Sequence, residues 1–84
     1  KLNWAVALAM ASEPARGLSV LAELDATGSL QRYYLFHSAR ADLLRRAEDW
    51  QAAYDAYLKA LDLAQNAVER AFLQRRLVEV RTRL

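Results

Sequence analysis

His37–Leu61, HSARADLLRRAEDWQAAYDAYLKAL, decides the fold. Strong helix formers fill both halves of this stretch. Glu48–Asp49 separates them as a tight turn, and Asp49 is placed to cap the second half. The two halves read as antiparallel helices with small residues where they must touch. Ala41 lies on the first helix, and Ala53 and Ala60 lie on the second with Tyr57 between them. Along the second helix, Trp50, Ala53, Tyr54, Tyr57, Leu58, Leu61 and Ala64 share one face at helical spacing.

That small–small–aromatic–small spacing resembles a tetratricopeptide-type hairpin, whose usual period is about 34 residues. The upstream sequence repeats the pattern at an offset of 36: Ala5 matches Ala41, Leu8 matches Leu44, Gly17 matches Ala53, Leu21 matches Tyr57 and Leu24 matches Ala60. Two extra residues fit in the loop around Gly28. The expected architecture is all-α, built from antiparallel helical hairpins of tetratricopeptide-like type. It has five helices, near 2–11, 14–26, 30–47, 50–64 and 67–84. Pro14 suits the first turn of the second helix. Gly28 suits a left-handed cap position, Ser29 can cap the third helix, and Asn66 with Glu69 resembles a capping box for the fifth. The fifth helix, with Leu73, Leu77, Val80 and Leu84 in line and Phe72 beside them, is expected to cover the apolar face of the fourth.

Composition agrees with this reading. Of 84 residues 55% are hydrophobic, and only two Gly and one Pro occur, so helices dominate. The absence of cysteine excludes a disulfide framework and a thiolate metal site, and it fits a cytoplasmic protein. The chain starts at Lys1 and not at Met, so residues 1–84, a single helical domain, are expected to be a fragment or a processed product of a longer chain. The opening KLNWAVALAMASEPA has the look of a signal peptide. Its uncharged run, Leu2–Ser12, is too short to span a membrane and fits the repeat, so it reads as a buried helix.

The formal net charge of +2 is uneven: residues 1–65 carry −1 and residues 66–84 carry +3. A basic last helix can meet nucleic acid or an acidic protein face, or be a solvated face with Arg stems lying over apolar neighbours. Arg70, Arg75, Arg76, Arg81 and Arg83 spread around the helix and make no stripe, which argues against a nucleic-acid surface. Glu79–Arg83 and Asp55–Lys59 are spaced to pair along their helices.

Candidate sites are few. His37 is the only histidine and lacks a nucleophile or an orienting carboxylate at useful spacing, so it reads as a packed, hydrogen-bonded core residue. No phosphate loop or nucleophile motif is present, so neither an enzyme, a cofactor nor a metal is expected. In tetratricopeptide stacks the first helix of each hairpin lines a concave groove. By that resemblance Val6, Met10, Ser38, Asp42 and Arg45 form a protein-binding surface; the other reading is an ordinary solvated face, or one covered by the rest of a longer chain. A clamp for a terminal carboxylate is not expected, because the equivalent positions are Val6 and Asp42. Trp4, Val6 and Met10 make helix 1 apolar beyond one stripe, which implies a preceding helix or a homodimer through helix 1.

Three segments resemble something narrower. LNWAVAL (Leu2–Leu8), HSARADLLRR (His37–Arg46) and ERAFLQRRL (Glu69–Leu77) are similar, in order and spacing, to the C-terminal tetratricopeptide-like extension of a group of bacterial sigma factors of the extracytoplasmic-function class. The run His37–Arg46 is the most specific part. Ala47-Glu48-Asp49 stands where that group usually has Leu-Gly-Arg, and Trp4 stands where a charged residue is commoner. The resemblance implies a regulatory or scaffolding appendage in transcription initiation. Its partners would be the N-terminal sigma regions of the same chain, RNA polymerase, or a regulatory protein, with no promoter contact of its own. The competing expectation is a free-standing tetratricopeptide-like adaptor unrelated to transcription.

Overall fold

The computed structural model describes residues 2–84, with side chains from Asn3 onward. Its regular structure is entirely helical: α1 (Leu2–Ala11), α2 (Pro14–Leu24), α3 (Tyr34–Arg46), α4 (Trp50–Leu63) and α5 (Ala67–Arg81). α1 packs on α2 and α3, α2 on α3, α3 on α4, and α4 on α5. The expected all-α hairpin architecture is therefore present, with α5 lying against α4.

The boundaries follow local chemistry. Pro14 occupies the first turn of α2, where its missing N–H costs nothing. Asn66 Oδ1 accepts from the Glu69 N–H at 2.8 Å, which is one half of the expected capping box of α5; Glu69 Oε1 accepts at 2.8 Å from the Gln65 N–H, one residue before the N-cap, and not from that of Asn66. Asp49 is the N-cap residue of α4, but its side chain makes no capping bond. α3 ends in a Schellman turn. The Asp49 N–H donates to the Leu44 carbonyl at 3.0 Å and the Glu48 N–H to the Arg45 carbonyl at 2.9 Å, with Glu48 left-handed at φ +62°.

The largest departure from the sequence reading lies between α2 and α3. α2 stops at Leu24, and α3 starts at Tyr34, later than the expected Leu30. The carboxylate of Asp25 is the cause. Its Oδ1 accepts from the Leu30 N–H at 2.7 Å and its Oδ2 from the Gln31 side chain. Such a side-chain acceptor offers the backbone an alternative to a helix. Gly28 is left-handed at φ +76°, as expected, but within this loop and not at the end of α2. Ser29 does not cap α3; Tyr33, in extended conformation, is its N-cap residue.

Two core clusters meet at α3. Phe36, Ala39 and Leu43 join Val6, Ala9 and Leu21 on one side. Ala41 and Leu44 join Ala53, Ala56, Tyr57, Ala60, Leu73 and Val80 on the other. Small residues allow the close approaches. A Cβ on Gly17 would collide with the carbonyl oxygen of Ala9 and stand 3.0 Å from Leu43 Cδ1, so α1, α2 and α3 meet around this glycine.

The two hairpins repeat with a phase slip. On the second helices the offset of 36 holds, since Gly17 and Ala53 are both buried, as are Leu21 and Tyr57. On the first helices it fails: Ala41 and Leu44 are buried, whereas Ala5 is half-buried and Leu8 is 51% exposed. There the equivalent residues are Val6 and Ala9, an offset of 35. The turn between α1 and α2 is Ser12–Glu13, one residue shorter than Ala47–Asp49, and that residue turns α1 by about 100° relative to the repeat.

α1 is accordingly not buried all round. Val6 and Ala9 face the core, while Trp4 is 70% exposed. Leu58 of α4 and Leu84 beyond α5 are also exposed and lie outside the core faces expected for them. Among the described residues, no helix is long and apolar enough to cross a membrane.

Candidate interaction groove

α1, α3 and α5 together enclose one side of an open, mainly apolar groove of about 540 Å³. Val6 and Met10 enter from α1, Leu35, Ser38 and Asp42 from α3, and Phe72 from α5. The period of α3 puts Leu35, Ser38 and Asp42 on one face, and that of α1 does the same for Val6 and Met10. Val6 is only 2% exposed and serves as the back wall; Met10, Ser38 and Asp42 are half-buried.

Four of the five residues singled out from sequence thus line one cavity. Arg45 stands just beyond it and joins it through Asp42. Its Nη2 pairs with Asp42 Oδ1, and its Nε donates to the Tyr57 hydroxyl at 3.2 Å. Burial pushes the Tyr57 phenol above its ordinary pKa, partly opposed by the Arg45 hydrogen bond. Asp42 is therefore held from behind, with its charge matched by Arg45.

Phe72 and Leu35 are the large apolar groove residues that the sequence reading does not assign. Phe72 sat beside the apolar stripe of helix 5 and not within it, which was the available sign that it belonged to a different surface.

The other candidates resolve differently. His37 is 5% exposed, its Nε2 lies 2.8 Å from the Gln31 carbonyl oxygen, and its ring meets Phe36 edge-on at 5.0 Å. It is the packed, hydrogen-bonded histidine expected. Among the described residues no group of three His, Asp or Glu side chains could hold a metal ion. The helix-5 arginines are partly committed: Arg83 lies over the Trp50 ring at 5.0 Å, and Arg76 pairs with Glu79 at 2.9 Å. The expected Glu79–Arg83 and Asp55–Lys59 pairs are not made, because Glu79 turns back to Arg76 and Asp55 accepts from Gln51 at 3.1 Å. Trp4 and Leu8 leave an exposed apolar face on α1, but Val6 belongs to the core and not to that face.

No family model, curated protein or solved structure matches the chain.

Proposed function

We propose that this chain is a non-enzymatic protein-interaction domain that receives a polypeptide segment in the α1/α3/α5 groove. The observation that carries this reading is the groove itself. It is open, walled mainly by apolar side chains, and of a size suited to a few apolar side chains of a partner. Apolar surface left concave and wet gains free energy when a complementary face removes it from water.

We further propose that the domain is the regulatory or scaffolding extension of a bacterial sigma factor acting in the cytoplasm during transcription initiation. The support is the resemblance of His37–Arg46 and its two flanking segments. The partner would be the sigma regions of the same chain, RNA polymerase or a regulatory protein. A free-standing adaptor is the second reading. The exposed Trp4 and Leu8 favour it, since a stacked hairpin or a second copy would cover them.

Promoter-specific transcription tests the proposal, using core polymerase and the longer chain with or without this domain. A change in initiation, loss for a required scaffold or gain for an inhibitory domain, supports it. A longer chain that supports no initiation in either form would leave the adaptor reading.

A further inference from the structure

The charge pattern around the groove names a class of partner. α1 contributes no charged side chain between Leu2 and Ala11. On α3, Asp42 is matched by Arg45. The α5 wall differs. Phe72 is shared between the groove and a smaller adjoining cavity of about 130 Å³ that it forms with Arg75, Arg76 and Glu79. Arg76 lies over the Phe72 ring at 5.3 Å and donates from Nη1 to Glu79, but its Nε–H is buried with no acceptor. Arg75 is exposed and makes no ion pair among the described residues. With Arg76 matched by Glu79, the charge left unmatched beside the groove is the positive one of Arg75, on the α5 wall.

We propose that the groove takes an amphipathic segment whose apolar side chains seat against Met10, Leu35 and Phe72 while a flanking Asp or Glu carboxylate meets Arg75. This rests on the groove reading and adds the sign of the partner's charge. A basic segment would bring cations against Arg75, while Glu79 beside it is already taken by Arg76. A nucleic-acid backbone would satisfy the cations but would lay phosphates over an apolar floor, a poor exchange for their hydration. The five arginines near α5 also offer it no continuous track, since Arg83 is turned onto Trp50.

Met10 is the only methionine, so its methyl group is a single NMR reporter inside the groove. The 84-residue chain, labelled at that methyl, is titrated with three helical peptides. They share a Leu pattern at i, i+3, i+4 and i+7 and differ only in carrying Glu, Gln or Lys at the flanking positions. The Glu peptide should shift the Met10 signal and bind about three- to tenfold more tightly than the Gln peptide, with the Lys peptide weakest. Raising salt to about 0.5 M should close the gap. Arg75→Glu, at an exposed position, should abolish the preference while circular dichroism shows unchanged helix content. Equal binding of the Glu and Gln peptides at Met10, or a preference that survives Arg75→Glu, overturns the acidic partner and leaves the groove reading intact. If none of the peptides moves the Met10 signal, the groove reading falls as well. An oligonucleotide that displaces the Glu peptide from Met10 overturns the choice of a polypeptide.

Discussion

Arg45 reaches across the α3–α4 hairpin and donates from Nε to the hydroxyl of Tyr57 at 3.2 Å, while Asp42 holds its other end. Tyr57 is fully buried. Its hydroxyl is therefore the link between the second core cluster and the groove wall. Tyr57→Phe keeps the ring packing and leaves Arg45 Nε without its acceptor. Urea unfolding should show a loss of about 1–2 kcal/mol.

The same phenol makes stability sensitive to alkali. Burial raises the Tyr57 pKa above its ordinary value of 10.0, and burial likewise raises that of Tyr34. A raised folded-state pKa means that the protonated phenol is favoured by folding. That contribution is fully present below the unfolded value and is lost as pH rises through it toward the folded one. The urea midpoint should fall as pH climbs past about 10, and the fall should be shallower in Tyr57→Phe and shallower again when Tyr34→Phe is added.

Gly17→Ala should destabilise despite alanine's better helix propensity. The new Cβ meets the Ala9 carbonyl oxygen, a backbone atom that cannot step aside without moving α1. A cost of about 1–3 kcal/mol in thermal or urea unfolding is expected. A neutral or stabilised variant would show that α1 and α2 are not held this closely.

Glu48→Gly should have the opposite sign. Glu48 carries φ +62° at the Schellman position, a conformation that costs a residue with a Cβ but not glycine. Chemical denaturation should show a gain of about 1 kcal/mol. The side chain is exposed, so no packing is lost in exchange.

Arg46 ties the two hairpins together from outside. Its guanidinium donates to the carbonyls of Met10 at 2.8 Å and Ser12 at 3.2 Å, where α1 leaves its last acceptors open. Arg46→Ala should cost about 0.5–1.5 kcal/mol, and Arg46→Lys should recover only part of it, because an ammonium lacks the planar fork that serves two acceptors. Stability measurements on both variants check this.

The helix ends that local residues punctuate were legible in the sequence. Pro14, the Glu48–Asp49 turn and the Asn66/Glu69 pair mark the starts of α2, α4 and α5. The start of α3 was not. Ser29 has the chemistry of a cap, yet Asp25 ties down the Leu30 N–H and the Gln31 side chain and holds this stretch in a loop, a contact that spacing does not reveal. The burial phase of α1 departs from the repeat for a different reason. A single residue of turn length rotates the helix, so a fixed offset carries Ala5 and Leu8 to the wrong side. Within the groove, Val6, Met10, Ser38 and Asp42 could be placed because hairpin geometry puts α1 and α3 side by side. Phe72 stands beside the helix-5 stripe, but what it meets depends on where α5 comes to rest, and that is set by packing on Tyr57 and Ala60.

α3 sends Phe36, Ala39 and Leu43 to one core and Ala41 and Leu44 to the other. Neither hairpin can open without stripping apolar surface from a helix the other one needs. Its loss therefore propagates in both directions, and the chain should unfold as one cooperative unit. Amides in the middle of α3 should exchange with solvent only through that global event, while those of α1 and the last turn of α5 escape through smaller openings. The slowest-exchanging protons of the molecule should thus mark the one helix that both hairpins share.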